Sequence, residues 1–561
     1  MRPILALTLL TAAPAFAADP AERYERRWFY SMGNLQVAEN SDKLVALIER
    51  AGKAGYNGVV LADYKLNVLD RVPSHYFTNV KKVQKAAEAA GIEIIPAVFP
   101  IGYSNGLLAH DPNLAEGLPV VRAPFQVRGR EAVLVPSPRA KVVNGDFEDS
   151  TNDRFQGFSS QDGPGQSTFA DHSIKHGGQA SCRFAADGPD VNRRVIQRVA
   201  VRPGAAYRLS AWVKTEGLSD PSSFRLLAIG AAEKGRSLTF FEGGVASTQD
   251  WKKHDVVFNS FDYENVNIYA GLWGRGKGAA WVDELTLEEL GPINILRRQG
   301  CPLTVTSDDG ATTFEEGRDF EPLLDPKLGV VPYAGEFEFE HPTPPLRLTA
   351  SSRIRDGQIL RVSWYHPVLV HGSQIMACPS EEKTYELLRD QARRVNELFR
   401  PKSFFMSHDE VRVLNWCGAC RARKLSPGQI LAENAKRCVV ILKEVAPGAV
   451  PIVWSDMFDP NHNAVGDYYL VNGTLAGSWE GLDPSVTIAN WNGGKKKASL
   501  DFFAGRGHRQ VLAGYYDADD LSGFTSWDDA AKGVKGVDGF MYTTWQTKFG
   551  LLDKYGAAMR K

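Results

Sequence analysis

Cysteine is scarce in this sequence, six in 561 residues. That count excludes a disulfide-built scaffold, in which small domains are dense in cysteine. An excess of charge of one sign is missing too, since 65 Lys and Arg stand against 66 Asp and Glu. Without a basic field there is nothing to recruit nucleic acid, and no acidic tail is present. Beyond the N-terminus no apolar run is long enough to span a bilayer, so no membrane anchor is expected. At the N-terminus Arg2 precedes the apolar stretch 4–10, and Ala15-Phe16-Ala17 supplies small residues at cleavage spacing. Residues 1–18 therefore read as a secretory signal, and the mature chain as secreted or periplasmic.

What is present is apolar material for two or more cored domains, at 43% hydrophobic residues. A strand beginning at Trp28 is followed by a helix over 42–54, with Leu44, Leu47 and Ile48 on one face and Gly55 closing it. A strand at 58–63, a helix at 77–90 and a strand at 92–98 continue the alternation, which implies a parallel sheet with right-handed crossovers. From about 142 to 290 the rhythm breaks into short alternating stretches such as Tyr207-Arg208-Leu209-Ser210-Ala211-Trp212-Val213, the pattern of an antiparallel sandwich. Strands and turns continue over 302–362. The βα rhythm then resumes with helices over 381–399 and from Pro427 to 445, and strands at 403–408, 451–454, 486–491, 510–516 and 539–545. A ninth candidate strand lies at 360–365. We read an α/β fold, a (β/α)8 TIM barrel interrupted after its third strand by a β-sandwich of the jelly-roll kind. The segments are a first barrel part at 19–125, a sandwich at 140–290, a β-rich connection at 291–375 and a second barrel part at 376–561.

In such barrels the site-forming residues stand at strand C-termini. Here Phe404-Phe405-Met406-Ser407-His408-Asp409-Glu410-Val411 carries an apolar run into two adjacent carboxylates. Neighbours on a regular strand face opposite ways, so both acids reach one cavity only where the strand breaks up. An acidic capping turn is the plain alternative. The other strand ends supply Asp63, Trp454, Trp491, Tyr515-Tyr516-Asp517 and Trp545. Tryptophans there serve either as core filler or as the apolar wall of a sugar site. Cys417 and Cys420 form one C-x-x-C, readable as a disulfide, as free thiols, or as half of a zinc site with Cys378 and a histidine.

At these residues the chain resembles glycoside hydrolase family 20, the β-N-acetylhexosaminidases, over 378–545 and more weakly over 28–100. The helix from Pro379-Ser380-Glu381-Glu382 into His408-Asp409-Glu410-Val411 resembles that family's approach to its acid strand. Pro451-Ile452-Val453-Trp454, Ala489-Asn490-Trp491, Tyr515-Tyr516-Asp517 and Tyr542-Thr543-Thr544-Trp545 resemble its later active-site strands. The resemblance makes the acid strand the fourth of the barrel and assigns 360–365 to the insertion. It implies removal of β-linked GlcNAc or GalNAc from a glycan by substrate-assisted, retaining hydrolysis with no catalytic cofactor. Glu410 would protonate the leaving oxygen, and Asp409 would orient the 2-acetamido group that attacks the anomeric carbon. Tyr515 would donate to the acetamide oxygen, and Trp454, Trp491 and Trp545 would enclose the sugar. Asp63, His408 and Asp517 are further substrate-binding candidates. An acid crowded by a second carboxylate is expected to hold its proton to higher pH.

The sequence departs from that family at several places. Ser407-His408 stands where two glycines are usual, and no arginine follows Trp28 on the first strand. The third strand ends Pro96-Ala97-Val98-Phe99-Pro100 without the usual acids and histidine, and Gln546 stands near a common glutamate. These departures keep two other readings open, a non-catalytic glycan-binding barrel and a glycosidase for a non-acetamido sugar using Glu410 with Asp63 or Asp456. The inserted segment resembles jelly-roll carbohydrate-binding modules at Val143-Asn144-Gly145-Asp146-Phe147-Glu148 and Trp281-Val282-Asp283-Glu284-Leu285. That resemblance names Glu148 and Asp283 as ligands of a structural calcium, with a turn acid and an edge-strand acid as the alternative. Phe155, Phe158, Trp212 and Trp273 are candidates for glycan contact, with burial expected for at least two.

Overall fold

The computed structural model describes residues 23–185, 191–240, 244–328, 341–371 and 374–561. The expected signal segment, 1–18, lies outside the described residues. Eight parallel strands close into a barrel: Arg26–Met32, Gly58–Ala62, Glu93–Val98, Ser403–Met406, Val450–Trp454, Thr487–Asn490, Gln510–Ala513 and Val537–Tyr542. The eighth returns to the first in register, Trp28 beside Met541. Glu93–Val98 pairs with Ser403–Met406, and the strands between them in sequence lie in other sheets.

Period-two alternation fills the barrel interior. Trp28, Val60, Ile95, Phe405, Ile452 and Val511 belong to one buried cluster inside the ring. Their strand neighbours Phe29, Val59, Phe404 and Val453 pack outward against the helices. The helix Glu382–Phe399 buries Tyr385, Leu388, Ala392 and Val395 along one stripe. The helix Pro427–Val445 starts from a capping box, with Ser426 accepting from Gln429 N and the Gln429 side chain accepting from Ser426 N.

The insertion carries two antiparallel sheets, of five and of four strands. Ala206–Glu216 is central in the larger, between Gln249–Asn259 and Ala279–Leu290. A third sheet, of six strands, joins the segments on either side of this sandwich. There Leu118–Arg128 pairs antiparallel with Ile359–His366. Residues 118–125, placed by the sequence reading in the first barrel part, thus belong with the connecting segment. The cause is visible in the side chains, since Val120, Ala123 and Phe125 share an apolar core with Val362 and Trp364. Among the described residues no helix is long and apolar enough to cross a membrane.

Candidate active site

At the C-terminal mouth of the barrel lies a cavity of about 680 Å³, lined among others by Tyr30, Asp63, Asp409, Glu410, Trp454 and Trp545. That volume falls within the ~300–1,000 Å³ usual for small-ligand sites. The fourth strand explains how two adjacent acids both face it. Phe405 points into the barrel, and Ser407 and Asp409 follow at steps of two, all on the inner face. Glu410 has φ 48°, in the left-handed region, so the chain turns there and swings its side chain to the same side. The close backbone approach of the loop after the third strand helps to fix this turn. A Cβ on Gly102 would sit 2.1 Å from the Asp409 carbonyl oxygen.

The two carboxylates have different surroundings. Asp409 is half-buried at the cavity wall, and its removal from water, reinforced by Asp456 and Glu410, pushes its carboxyl up to about 8. Glu410, its side chain 24% exposed, pairs with the Arg412 guanidinium, Nη2 to Oε1 at 2.6 Å. Its Oε2 accepts from the Tyr103 hydroxyl. Gln374 ties this set together, donating to the carbonyls of Gly102 and Glu410 and accepting from Arg412. The crowding expected to retain a proton is therefore felt at Asp409. A third carboxylate, Asp456, is fully buried, accepting from Glu410 N at 3.0 Å, Asn463 Nδ2 at 3.0 Å and Trp491 Nε1 at 3.2 Å. Burial raises its pKa as well.

Trp454 forms the floor, with ring centroids 5.6 Å from Tyr30, 5.8 Å from Trp545 and 6.3 Å from Trp491. Trp454 is 2% exposed and Trp545 36%, so the wall runs from core to rim. All three tryptophans named from the sequence line the one cavity.

Three of the expected site residues, Tyr515, His408 and Asp517, lie outside the cavity lining. Tyr515 is buried in the outer core, stacked on Tyr542 at 4.0 Å and packed against Tyr555, and does not line the cavity. The seventh strand ends at Ala513, and Tyr516 and Asp517 both have positive φ, which breaks the alternation. Tyr516 is turned to the rim instead, stacked on Trp491 with planes 11° apart and 6.3 Å from Trp545. His408 points outward, between strand and helix, where Nε2 contacts Asn434 Oδ1 at 2.9 Å. Burial lowers its pKa to about 4, so it is a neutral core histidine. Asp63 borders the cavity, but its oxygens are engaged by Leu35 N, Lys65 N and the Tyr76 hydroxyl. Asp517 accepts from Thr544, Trp545 N and Gln546 N, so it holds the Trp545 loop and does not itself line the cavity.

Sequence reading missed Tyr103 and Arg412. Arg412 stands two residues past Glu410, a cation beside an acid pair that was there to be noticed. Tyr103 reaches the site only through the loop after the third strand, and nothing local in the sequence marks it. Arg27 donates to the Gly55 and Tyr24 carbonyls, away from the cavity, so no first-strand arginine serves the site.

In the sandwich, Glu148 Oε1 accepts from Gln179 N and Ala180 N. Asp283 accepts from His176 N and Gly177 N through Oδ2, and from Glu284 N through Oδ1. The two acids clamp one turn, and Gly178, at φ 54°, is required there because a Cβ would meet Glu148 at 1.8 Å. In this arrangement the two acids hold the turn. Phe155 and Phe158 pack on Phe147, whereas Trp212 is only half-buried and carries the His176 ring stacked at 3.8 Å.

Comparison with known proteins gives three findings. A family model described as a carbohydrate binding domain matches residues 139–276. No curated protein matches the chain in sequence. Among solved structures, Flavobacterium johnsoniae chitobiase is similar at 10% identity and TM-score 0.35, covering 96% of this chain and 48% of that one. A glycoside hydrolase family 20 β-N-acetylglucosaminidase is similar at 8% identity and TM-score 0.34, covering 96% of this chain and 69% of the other. A family 16 carbohydrate binding module is similar at 19% identity and TM-score 0.20, covering 26% of this chain and 99% of that module.

Proposed function

We propose that this chain is an exported glycoside hydrolase that removes a β-linked N-acetylhexosamine, GlcNAc or GalNAc, from a glycan with retention. The observation that carries the reading is one cavity holding Asp409 and Glu410 against an indole wall, in a chain whose residues 139–276 match a carbohydrate binding domain. Glycoside cleavage needs a proton for the leaving oxygen and a negative group near an oxocarbenium-like centre. In substrate-assisted form the acetamide oxygen is the nucleophile, so the C–O bond to the leaving group breaks as that oxygen closes on the anomeric carbon. Water then opens the ring intermediate. Glu410, on the open side and oriented by Tyr103, serves as acid and then base. Asp409, deeper and beside the floor, orients the acetamide against Trp454. The hydroxyl role that the family resemblance implies falls to Tyr516.

One observation favours a second assignment. Asp409 is the carboxyl held protonated near neutral pH, while Glu410 faces a guanidinium, which suits Asp409 as proton donor and Glu410 as the anion. Nitrophenyl β-GlcNAc and β-GalNAc assayed with Glu410→Gln and Asp409→Asn separate these roles. An activated leaving group needs no acid, so the variant that keeps the nitrophenyl activity but loses a natural disaccharide has lost the acid. Inhibition by a GlcNAc or GalNAc thiazoline is expected for substrate assistance. If neither nitrophenyl sugar is hydrolysed and Glu410→Gln behaves as the parent, the hydrolase reading is wrong.

A further inference from the structure

Four of the six cysteines converge from three separated segments beneath the loop that follows the acid pair. Cys378 precedes the helix Glu382–Phe399, Cys417 and Cys420 follow the fourth strand, and Cys301 comes from the segment after the sandwich. All four are buried. Cys378 Sγ lies 3.4 Å from Cys417 Sγ and 3.6 Å from Cys420 Sγ. Cys301 makes a further sulfur contact with Cys417. A disulfide would bring one pair to about 2.05 Å and leave the remaining thiols stranded in the core. A tetrahedral thiolate site, with metal–sulfur bonds of about 2.3 Å, places its sulfurs roughly 3.7–3.8 Å apart, and the two separations from Cys378 fall just inside that edge.

The surroundings also suit an ion. Glu116 lies in the same group, its carboxylate within 4.8 Å of the Cys378, Cys417 and Cys420 sulfurs. Its Oε1 accepts from Trp416 N and Cys417 N at 2.8 and 2.9 Å, which fixes the turn that presents the C-x-x-C. Its Oε2 faces Cys420 Sγ at 3.5 Å. An acid holding the ligand loop is the usual arrangement around a protein metal site. Arg298 lies alongside, donating to the Asn113 and Ala115 carbonyls and paired with Glu381 at 2.7 Å, a cation placed to offset the surplus charge of four thiolates on a divalent ion.

We propose that Cys301, Cys378, Cys417 and Cys420 bind one thiophilic divalent cation of the zinc class, with Glu116 positioning the C-x-x-C turn. Such an ion would staple the segment after the sandwich to the barrel loop that begins at Asp409-Glu410. It would be structural, since four protein sulfurs leave no open coordination position.

The test uses the full chain, purified without metal-affinity steps and under reducing conditions. Elemental analysis should find one zinc per chain, and six thiols should titrate after unfolding with chelator. Cobalt(II) exchanged into the site should give thiolate-to-cobalt charge-transfer absorption and the visible bands of a tetrahedral ion. Cys378→Ser and Cys301→Ser should each lose the bound zinc, while Glu116→Gln and the distant Cys438→Ser should retain it. If the serine variants do not fold, the cobalt spectrum of the parent decides alone. A chain that takes up neither zinc nor cobalt, or that shows only four titratable thiols, overturns the proposal. So does zinc kept by Cys301→Ser and lost by Glu116→Gln.

Discussion

Asp409 carries the sharpest test of the site electrostatics. Burial, with Asp456 and Glu410, lifts its carboxyl to about 8 from an ordinary 3.8. The folded chain therefore binds that proton more tightly than the unfolded chain does. Unfolding releases it across this interval, so rising pH favours unfolding. The loss accumulates at about 1.4 kcal/mol per pH unit, which makes ~3 kcal/mol between pH 5 and pH 7 and a ceiling of roughly 6 kcal/mol above pH 8. Asp409→Asn keeps the shape and removes the charge. Its stability advantage over the parent should be near zero at pH 4, widen steadily to pH 8 and then level off. Asp63, a raised carboxyl not among the groups acting on Asp409, is common to both proteins and cancels in the difference, whereas Asp456 interacts with Asp409 and its own titration shifts in the variant. Denaturant unfolding of both proteins at each pH unit gives the curve directly. Parallel curves for the two proteins would refute the reasoning, because Asp409 would then ionise in place at no cost. The same substitution should cut turnover by about 10²–10³-fold, as expected for a group acting on developing charge.

Other substitutions separate the rim from the core. Tyr515→Phe should leave kcat/KM near that of the parent, while Tyr516→Phe should lower it about tenfold or more, the worth of one hydrogen bond to a charged centre. Tyr103→Phe should lower kcat/KM by roughly 10–100-fold with little change in Tm, since it removes a hydroxyl that donates to Glu410 and accepts a long bond from Arg412. Trp454→Ala should destabilise the chain by about 3–5 kcal/mol, measured by denaturant, because its ring is 2% exposed on the barrel floor. Asp517→Ala should raise KM more than it lowers kcat, since it releases the loop bearing Trp545 without touching the acids.

The barrel was legible because its strands are buried runs whose ends coincide with turn residues. Gly58–Ala62 and Val450–Trp454 lie within a residue or two of where their Val and Ile runs place them. The helices were legible from their apolar stripes and, at Ser426-Pro427, from cap chemistry. What sequence reading could not supply was direction at the strand ends. Tyr515 and Tyr516 are adjacent and chemically alike, and only the positive φ of Tyr516 and Asp517 decides which one turns to the rim beside Trp491 and Trp545. His408 could not be told from a site residue because its partner, Asn434, lies 26 positions away on a later helix. The pairing of 118–128 with 359–366 was hidden for the same reason, since a sheet closed around an intervening sandwich leaves no local signature.

The position of the insertion also sets a clock on synthesis. Glu93–Val98 meets its next neighbour, Ser403–Met406, only after roughly three hundred further residues have been made. At ribosomal rates of ~5–20 residues per second that is a wait of about 15–60 s. Throughout it the third strand offers an open row of amides and carbonyls, and the inner faces of Val60 and Ile95 lack half of their covering. The sandwich can complete its own antiparallel pairs meanwhile. The nascent chain thus carries a finished domain beside an open three-stranded arc, and that arc is where a chaperone would be needed before the second half of the ring arrives.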